Sequence, residues 1–229
     1  MNTLNRTGIL GGTFDPIHQG HLDAAKIVSR SLQLKQVLLI PVGLENHRAV
    51  LPRASAYHRF AMLGLAVTDY AMLQLCDIEL RSTKPSYTSL TLQRLAVAGY
   101  DPSQLFFITG ADAFAEITSW YDFPAVLDRS HFAVVSRPGH PVSELHNQLP
   151  DLANRMKNVK GAVSSESQSQ RDTTKSSIWL IDANTCEVSS SEIRHRIAIG
   201  KPLTGLTPPN VETYIHQHRL YLPNSKNVK

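Results

Sequence analysis

The sequence is poor in cysteine, in long apolar stretches and in charge of one sign. Its two cysteines, Cys76 and Cys186, are far apart and belong to no CxxC motif. They provide neither a disulfide framework nor the ligand spacing of a structural zinc site. No stretch approaches the roughly 18 apolar residues of a membrane-spanning helix, and the first residues lack the apolar run of a signal peptide. These absences predict a cytoplasmic globular protein.

The charge balance is only mildly basic. The 229 residues include 23 lysines and arginines against 19 aspartates and glutamates, a formal net charge of +4. No run of basic residues is interleaved with aromatic residues, as is typical of nucleic-acid surfaces. A small positive excess suits a site for polyphosphate substrates equally well. We expect neither nucleic acid nor membrane as a partner, and the oligomeric state stays open.

Short apolar runs alternate with helical patterns along the chain, which predicts an α/β fold with a parallel sheet. The run 37–40 does not alternate with polar residues, as is typical of strands buried on both faces. Leu22, Ala25, Val28 and Leu32 recur at helical spacing, and so do Phe60, Leu63 and Val67. A further helix is predicted over 89–98. The predicted strands are 7–10, 36–42, 73–80, 105–109, 132–136 and 178–181.

We expect one domain over residues 1–229. The segment 161–177, GAVSSESQSQRDTTKSS, has almost nothing to bury. Such a composition cannot offset its ordering entropy, which predicts a mobile insertion. Strand and helix patterns resume after it, so it is not a domain linker. The tail 224–229 is predicted to be frayed.

The most informative segment is GGTFDPIHQGH at residues 11–21, which follows the apolar run 8–10 directly. Gly11 and Gly12 let a backbone approach a ligand closely. Asp15 is a good N-cap residue and Pro16 suits a first helical position. A phosphate chain could therefore bind at this helix N-terminus, where free N–H groups and the helix dipole favour an anion.

Two histidines follow within that segment, His18 and His21, and we expect them on one face of the opening helical turn. Imidazole N–H groups can donate to phosphate, whose negative charge would favour the protonated rings. Gly20 costs about 1 kcal/mol of helix stability relative to alanine, which indicates close passage of a ligand. A Gly-Gly turn alone is usually only a turn, and two such histidines alone are usually surface residues or part of a metal site. Their combination favours the phosphate site.

GGTFDPIHQGH resembles the signature of the HxGH nucleotidyltransferases, and from about residue 8 to 221 the chain resembles a bacterial nicotinate-nucleotide adenylyltransferase. The resemblance implies a Rossmann-like open parallel sheet with helices on both faces. It also implies adenylyl transfer from ATP to nicotinate mononucleotide, with Mg²⁺ as cofactor, giving nicotinate adenine dinucleotide and pyrophosphate. It makes His18 and His21 the catalytic pair. It places Gly11, Gly12, Thr13 and Phe14 at the ATP phosphates.

A second anion-binding element is predicted at VSSSEIR, residues 188–194. Ser189 and Glu192 have capping-box spacing. Arg194 falls about one turn into the helix and can reach the same end. The element resembles the family's SSTxIR motif, which implies that Ser190, Ser191 and Arg194 bind the β- and γ-phosphates of ATP. Ser191 replaces the usual threonine.

The mononucleotide pocket is assigned by further resemblances. Residues 85–92 resemble the SYTxxTL segment, and LFFITGAD at 105–112 is a strand followed by a carboxylate, at the sheet edge where ligands of open α/β sheets bind. Asp112 could bind ribose hydroxyls or cap a helix. The tryptophan of WY at 120–121 would stack on the pyridine ring, although a core role stays open. The residues implied for this pocket are Tyr87, Thr88, Gly110, Asp112, Trp120 and Tyr121.

One loop departs from the family pattern. Where the family has PPHK, this chain reads Leu44-Glu45-Asn46-His47-Arg48. His47 and Arg48 are expected at the triphosphate, but the prolines are absent and arginine is not equivalent to lysine. Open alternatives are a related transferase acting on nicotinamide mononucleotide or another phosphorylated substrate, and a non-catalytic nucleotide sensor.

Overall fold

A computed structural model describes residues 5–44, 52–159 and 176–223. Seven strands form one parallel sheet in the order β3-β2-β1-β4-β5-β7-β6. The strands are β1 (Thr7–Gly12), β2 (Gln36–Pro41), β3 (Leu73–Leu75), β4 (Leu105–Gly110), β5 (His131–Val135), β6 (Met156–Asn158) and β7 (Ile178–Ile181).

Helices cover both faces of this sheet, as predicted. Along β1, Leu10 points to one apolar layer and Ile9 to the other, which explains why the strand reads as a continuous apolar run. The first layer contains α1 (Gln19–Leu32), α2 (Ala56–Val67), α6 (Ser190–Ala198) and α7 (Pro209–Gln217); the second contains α3 (Thr88–Val97), α4 (Ala111–Ala115) and α5 (Leu145–Gln148). None of these described helices is long and apolar enough to cross a membrane.

The sequence misjudged two strands. The predicted strand 73–80 is wrong beyond Leu75, because the chain turns over residues 78–81. The strand β6 was not predicted: only Met156 of its three residues is buried, since the strand lies at the sheet edge. Most of the insertion 161–177 and all of the tail 224–229 lie outside the described residues, so those expectations and the single-domain assignment stay predictions.

The strand order places the candidate site. The chain runs outward from β1 to β2 and β3, then returns to add β4 on the other side of β1. A crevice therefore opens between the carboxyl ends of β1 and β4, the position where open α/β sheets bind ligands. Gly11 and Gly12 end one of these strands and Gly110 ends the other.

Candidate functional site

The turn after β1 is held by a buried arginine. Arg59 of α2 is 2% exposed and donates from Nη1 to the carbonyl oxygen of Thr13 (2.8 Å) and from Nη2 to that of Val42 (2.8 Å). It connects the turn after β1 to the segment after β2. Phe14 has a left-handed φ of 50° and a side chain that is 1% exposed, so only its backbone can meet a phosphate.

The helix after this turn begins later than the sequence suggests. The predictions that Asp15 caps α1 and that Pro16 is its first residue are wrong, because α1 begins at Gln19 with His18 as its N-cap residue. The Asp15 carboxylate instead accepts hydrogen bonds from the N–H groups of Arg53 (2.8 Å) and Ala54 (3.0 Å). The carboxylate therefore binds the backbone of the segment before α2.

The two histidines are stacked rather than side by side on a helical face. Their ring centroids are 3.6 Å apart and the rings are inclined by 25°. His21 Nδ1 accepts a hydrogen bond from the backbone N–H of His18 (3.3 Å), so a neutral His21 ring carries its proton on Nε2. His18 is 4% exposed, and its Nδ1 is buried with no hydrogen-bond partner among the described residues.

Both imidazoles are uncharged in the ligand-free protein. Burial, with a contribution from the positive charge of Arg137, lowers the pKa of His18 from 6.5 to about 4. Burial also lowers the pKa of His21 well below 6.5, with smaller effects of His18 and Arg137. At neutral pH each ring therefore has one N–H donor and one acceptor nitrogen.

Gly20 also has a packing reason within the protein, and the close passage of a ligand there stays a prediction. A Cβ atom at this position would lie 3.0 Å from the carbonyl oxygen of Cys186 and 3.2 Å from Nδ1 of His18. The glycine allows α1 to pack closely against the segment before α6.

The start of α6 lies against this same turn. Ser189 caps the helix by accepting from the N–H of Glu192 (3.1 Å), as predicted. Ser190 Oγ donates to the carbonyl oxygen of Pro16 (2.8 Å). Arg194 donates to the carbonyl oxygen of Asp15 (2.7 Å) and to Ser191 Oγ (2.9 Å). The structure thus brings the two predicted phosphate elements together.

Across the crevice, Asp112 lies in the first turn of α4, and the N-cap residue is Gly110. One carboxylate oxygen, Oδ2, is 3.7 Å from Nη1 of Arg137, while Oδ1 is buried without a hydrogen-bond partner in the described chain. A Cβ at Gly110 would be 2.8 Å from Nε of Arg137. The positive charge of Arg137 also contributes to lowering the pKa values of His18 and His21.

An aromatic pair lies beside α3. Tyr87 is the N-cap residue of α3, with Thr88 the first helical residue, and Tyr87 stacks on Tyr121 with centroids 4.5 Å apart. The neighbouring Trp120 is half-buried and meets Phe107 edge-on, with centroids 6.0 Å apart. Tyr121 is 50% exposed. This aromatic surface is therefore partly packed and partly exposed.

The remaining predicted residues, His47 and Arg48, lie outside the described residues. The sequence did not identify Arg59 as a site residue. An arginine interrupts the apolar pattern of α2, and the pattern gives no indication of its partners. Arg137 lies in the Arg137-Pro138-Gly139 segment that follows β5, and the sequence alone does not distinguish phosphate contact from a structural role for it.

Comparisons with known proteins agree with this geometry. Residues 9–196 match the cytidylyltransferase-like family model. A probable nicotinate-nucleotide adenylyltransferase of Roseiflexus sp. (strain RS-1) is 37% identical over 216 residues, covering 93% of this chain and 96% of that protein. Another, of Desulfitobacterium hafniense (strain Y51), is 36% identical over 220 residues, covering 94% and 95%.

A solved structure described as Plasmodium falciparum nicotinic acid mononucleotide adenylyltransferase complexed with NaAD shares the fold. Its TM-score is 0.68 at 18% identity, and the match covers 95% of this chain and 97% of that chain. The structure complexed with APC gives a TM-score of 0.66 at 17% identity, with the same coverage. The structural matches establish the fold and the sequence matches the family: the chain belongs to the nicotinate-nucleotide adenylyltransferases.

Proposed function

We propose that this protein transfers the adenylyl group of ATP to nicotinate mononucleotide, giving nicotinate adenine dinucleotide and pyrophosphate in NAD biosynthesis. The observation that supports it best is a pair of buried atoms without partners among the described residues, His18 Nδ1 and Asp112 Oδ1, close to the positive charge of Arg137. An unsatisfied buried polar atom costs about 1–3 kcal/mol, which a polar ligand can recover.

The reaction needs positioning more than proton transfer. The mononucleotide phosphate is already anionic at neutral pH, so it can attack the α-phosphorus of ATP without a general base. The bond to the bridging oxygen breaks in line and pyrophosphate leaves. Neutral His18 and His21 donate hydrogen bonds to the reacting phosphates, with His18 nearest the α-phosphate, and stabilise the charge that develops there.

The phosphate chain of ATP is bound by two elements. Backbone N–H groups of the turn after β1 meet the phosphates closest to the histidines. The start of α6 binds the departing pyrophosphate, with Arg194 supplying positive charge. The residues proposed for ATP are Gly11, Gly12, Thr13, Phe14, His47, Arg48, Ser190, Ser191 and Arg194.

The mononucleotide lies on the β4 side of the crevice. Asp112 accepts hydrogen bonds from ribose hydroxyls, and Trp120 stacks on the electron-poor pyridine ring. Tyr87, Thr88, Gly110 and Tyr121 complete the pocket. Arg137 is positioned to neutralise phosphate charge between the two substrates.

Mg²⁺ is the cofactor we infer for ATP. The described site offers N–H groups, hydroxyls and guanidinium groups, which bind phosphate oxygens, and no group of three histidine, cysteine or acidic side chains that could bind a metal. This donor set fits an ion that is bound mainly by the phosphates. When bound, Mg²⁺ neutralises phosphate charge. A cytoplasmic location remains a further prediction.

The test is incubation with ATP, Mg²⁺ and nicotinate mononucleotide, with pyrophosphate and the dinucleotide measured separately. We expect equal amounts of both products. Nicotinamide mononucleotide, phosphopantetheine and glycerol phosphate are run in parallel at the same concentration. Faster pyrophosphate release with one of these compounds would reassign the substrate, and binding of ATP without release would favour the sensor.

A further inference from the structure

The loop that contains Trp120 and Tyr121 is followed by a backbone that few residues adopt. Asp122 has a φ of 67°, in the left-handed region. A non-glycine residue is strained in this region, and Asp and Asn are less strained there than other residues. Such a conformation persists only where surrounding contacts hold it.

Those contacts come from two neighbouring elements. The Asp122 carboxylate accepts a short hydrogen bond from Ser89 Oγ and two from Arg129, from Nε (3.1 Å) and Nη2 (2.8 Å). Arg129 Nε also donates to Ser89 Oγ (2.8 Å). Ser89 lies in α3 and is 0% exposed. We call Ser89, Asp122 and Arg129 the Asp122 cluster.

The cluster connects the two segments that carry the stacked tyrosines. Ser89 lies two residues after Tyr87 in α3, and Asp122 comes directly after Tyr121. The two tyrosines stack with their rings inclined by 26°. The hydrogen bonds of the cluster therefore join the start of α3, next to Tyr87, to the loop that contains Tyr121.

We propose that the Asp122 cluster determines the affinity for the aromatic mononucleotide by fixing how Tyr87 and Tyr121 face each other. Asp122 is a positioning residue, because the side chains that would meet the substrate are its neighbours. The ligand class is a mononucleotide with a planar heteroaromatic base. This inference rests on the proposed function and extends it to a residue that no sequence motif indicated.

The charge of Asp122 is suited to this role. The hydrogen bonds from Ser89 and Arg129 lower the pKa of its carboxyl below the usual range. The group therefore stays ionised at neutral pH and retains its contacts with the guanidinium group. Arg129 and Ser89 both lie on the mononucleotide side of the sheet, whereas the elements proposed for ATP phosphates are β1, α1 and α6.

The test compares Asp122→Gly with the wild-type enzyme. Glycine accepts the same φ and removes the carboxylate, so the comparison isolates the cluster from backbone strain. We expect the KM for nicotinate mononucleotide to rise about 10-fold through lost preorganisation, with the KM for ATP within about 2-fold. Quenching of tryptophan fluorescence by nicotinate mononucleotide measures the same loss without turnover. Asp122→Asn, which keeps an acceptor oxygen and tolerates this φ, should recover part of the affinity.

The matched control is Asp128→Ala. Asp128 is close to Asp122 in sequence and, like it, forms an ion pair with an arginine: its carboxylate lies 3.0 Å from Arg155. However, the Asp128 side chain is 65% exposed, and neither partner is proposed to contact the mononucleotide. Both KM values should stay unchanged. Ser89→Ala serves as the second test if Asp122→Gly does not fold, as judged by its melting temperature.

Two results would overturn the inference: an unchanged KM for the mononucleotide in Asp122→Gly, or equal increases in both KM values. Failure of the proposed function looks different, because the wild-type enzyme would then neither bind nor adenylate nicotinate mononucleotide. The proposed role of the Asp122 cluster is supported only if the wild-type enzyme is active and the variant shows a selective rise in the KM for nicotinate mononucleotide.

Discussion

The neutrality of the two histidines has a direct consequence for catalysis. Burial and Arg137 keep both pKa values low before substrate binds. The rings therefore offer fixed N–H donors in a buried site, where hydrogen bonds to developing charge are strongest. Negative charge on a phosphate bound there, as proposed, would raise both pKa values and strengthen these hydrogen bonds.

Replacing His18 tests its place beside the α-phosphate. We expect His18→Ala to lower kcat by about 10²-fold or more, the scale for loss of one preorganised donor. The rate of steady-state pyrophosphate release measures this change in kcat. His216→Ala is the control, because this histidine on α7 is 62% exposed and lies outside the site. Near-normal turnover in His18→Ala would refute the proposed role.

The same histidine should make stability depend on pH. The folded pKa of about 4 lies below the usual 6.5, so the unfolded chain takes up a proton first as the pH falls. The stability contributed by neutral His18 is complete above pH 6.5 and is lost between about pH 6.5 and 4. Denaturant unfolding at several pH values measures this slope. We expect a shallower slope in His18→Asn than in the wild type; parallel curves would contradict the assignment.

At the scale of elements, the sequence predicted the central strands and the first helix well. The apolar runs in β2 and β4 are buried on both faces, and Leu22 and Val28 face the core from α1 as expected. The wrong predictions have one cause: a local sequence pattern does not show which distant residues a side chain or strand will contact. Asp15 has good N-cap chemistry, but its hydrogen bonds go to residues before α2 and near the chain end.

Site prediction failed in the same way. Motifs identified the loops around β1, β4 and α6, which the structure brings to one crevice. They could not identify Arg59, whose partners follow two different strands, or Asp122, whose role depends on α3. Such residues become visible only when the elements are assembled in three dimensions.

The loop after α4 carries residues proposed for nicotinate mononucleotide and none proposed for ATP. We expect Trp120→Ala to raise the KM for nicotinate mononucleotide far more than the KM for ATP, because the indole would stack on the pyridine ring. Trp120 also packs on Phe107, so the variant loses some stability, and its melting temperature should be recorded alongside. Trp179→Ala on β7 is the control and should change neither KM. Equal effects on both substrates would remove the stacking assignment.

Across the whole molecule, the chain end returns to the start of the site. Tyr221 is 8% exposed, and its hydroxyl donates to the Asp15 carboxylate (2.8 Å), which also lies 3.8 Å from Nη1 of Arg194. Thr207 Oγ1 donates to the carbonyl oxygen of Ile17 (3.0 Å). Segments far apart in sequence therefore meet around residues 15–17, directly before the histidines. Folding of the carboxyl-terminal segment and formation of the phosphate site should be energetically coupled.

Tyr221→Phe tests that coupling with the loss of one hydroxyl group. Burial and the neighbouring Asp15 raise the pKa of Tyr221 far above 10, so its hydroxyl remains a donor at every physiological pH. Hydrogen bonds to charged groups contribute about 1.5–3 kcal/mol, and we expect the free energy of unfolding to fall by that amount in denaturant titrations. The control Tyr214→Phe removes a hydroxyl 3.0 Å from the half-buried His58 and should cost about 1 kcal/mol or less. Equal losses of unfolding free energy in the two variants would show that the hydrogen bond from Tyr221 to Asp15 contributes no special stability. A larger loss in Tyr221→Phe, together with weaker ATP binding, would show that the carboxyl-terminal segment helps to form the phosphate site.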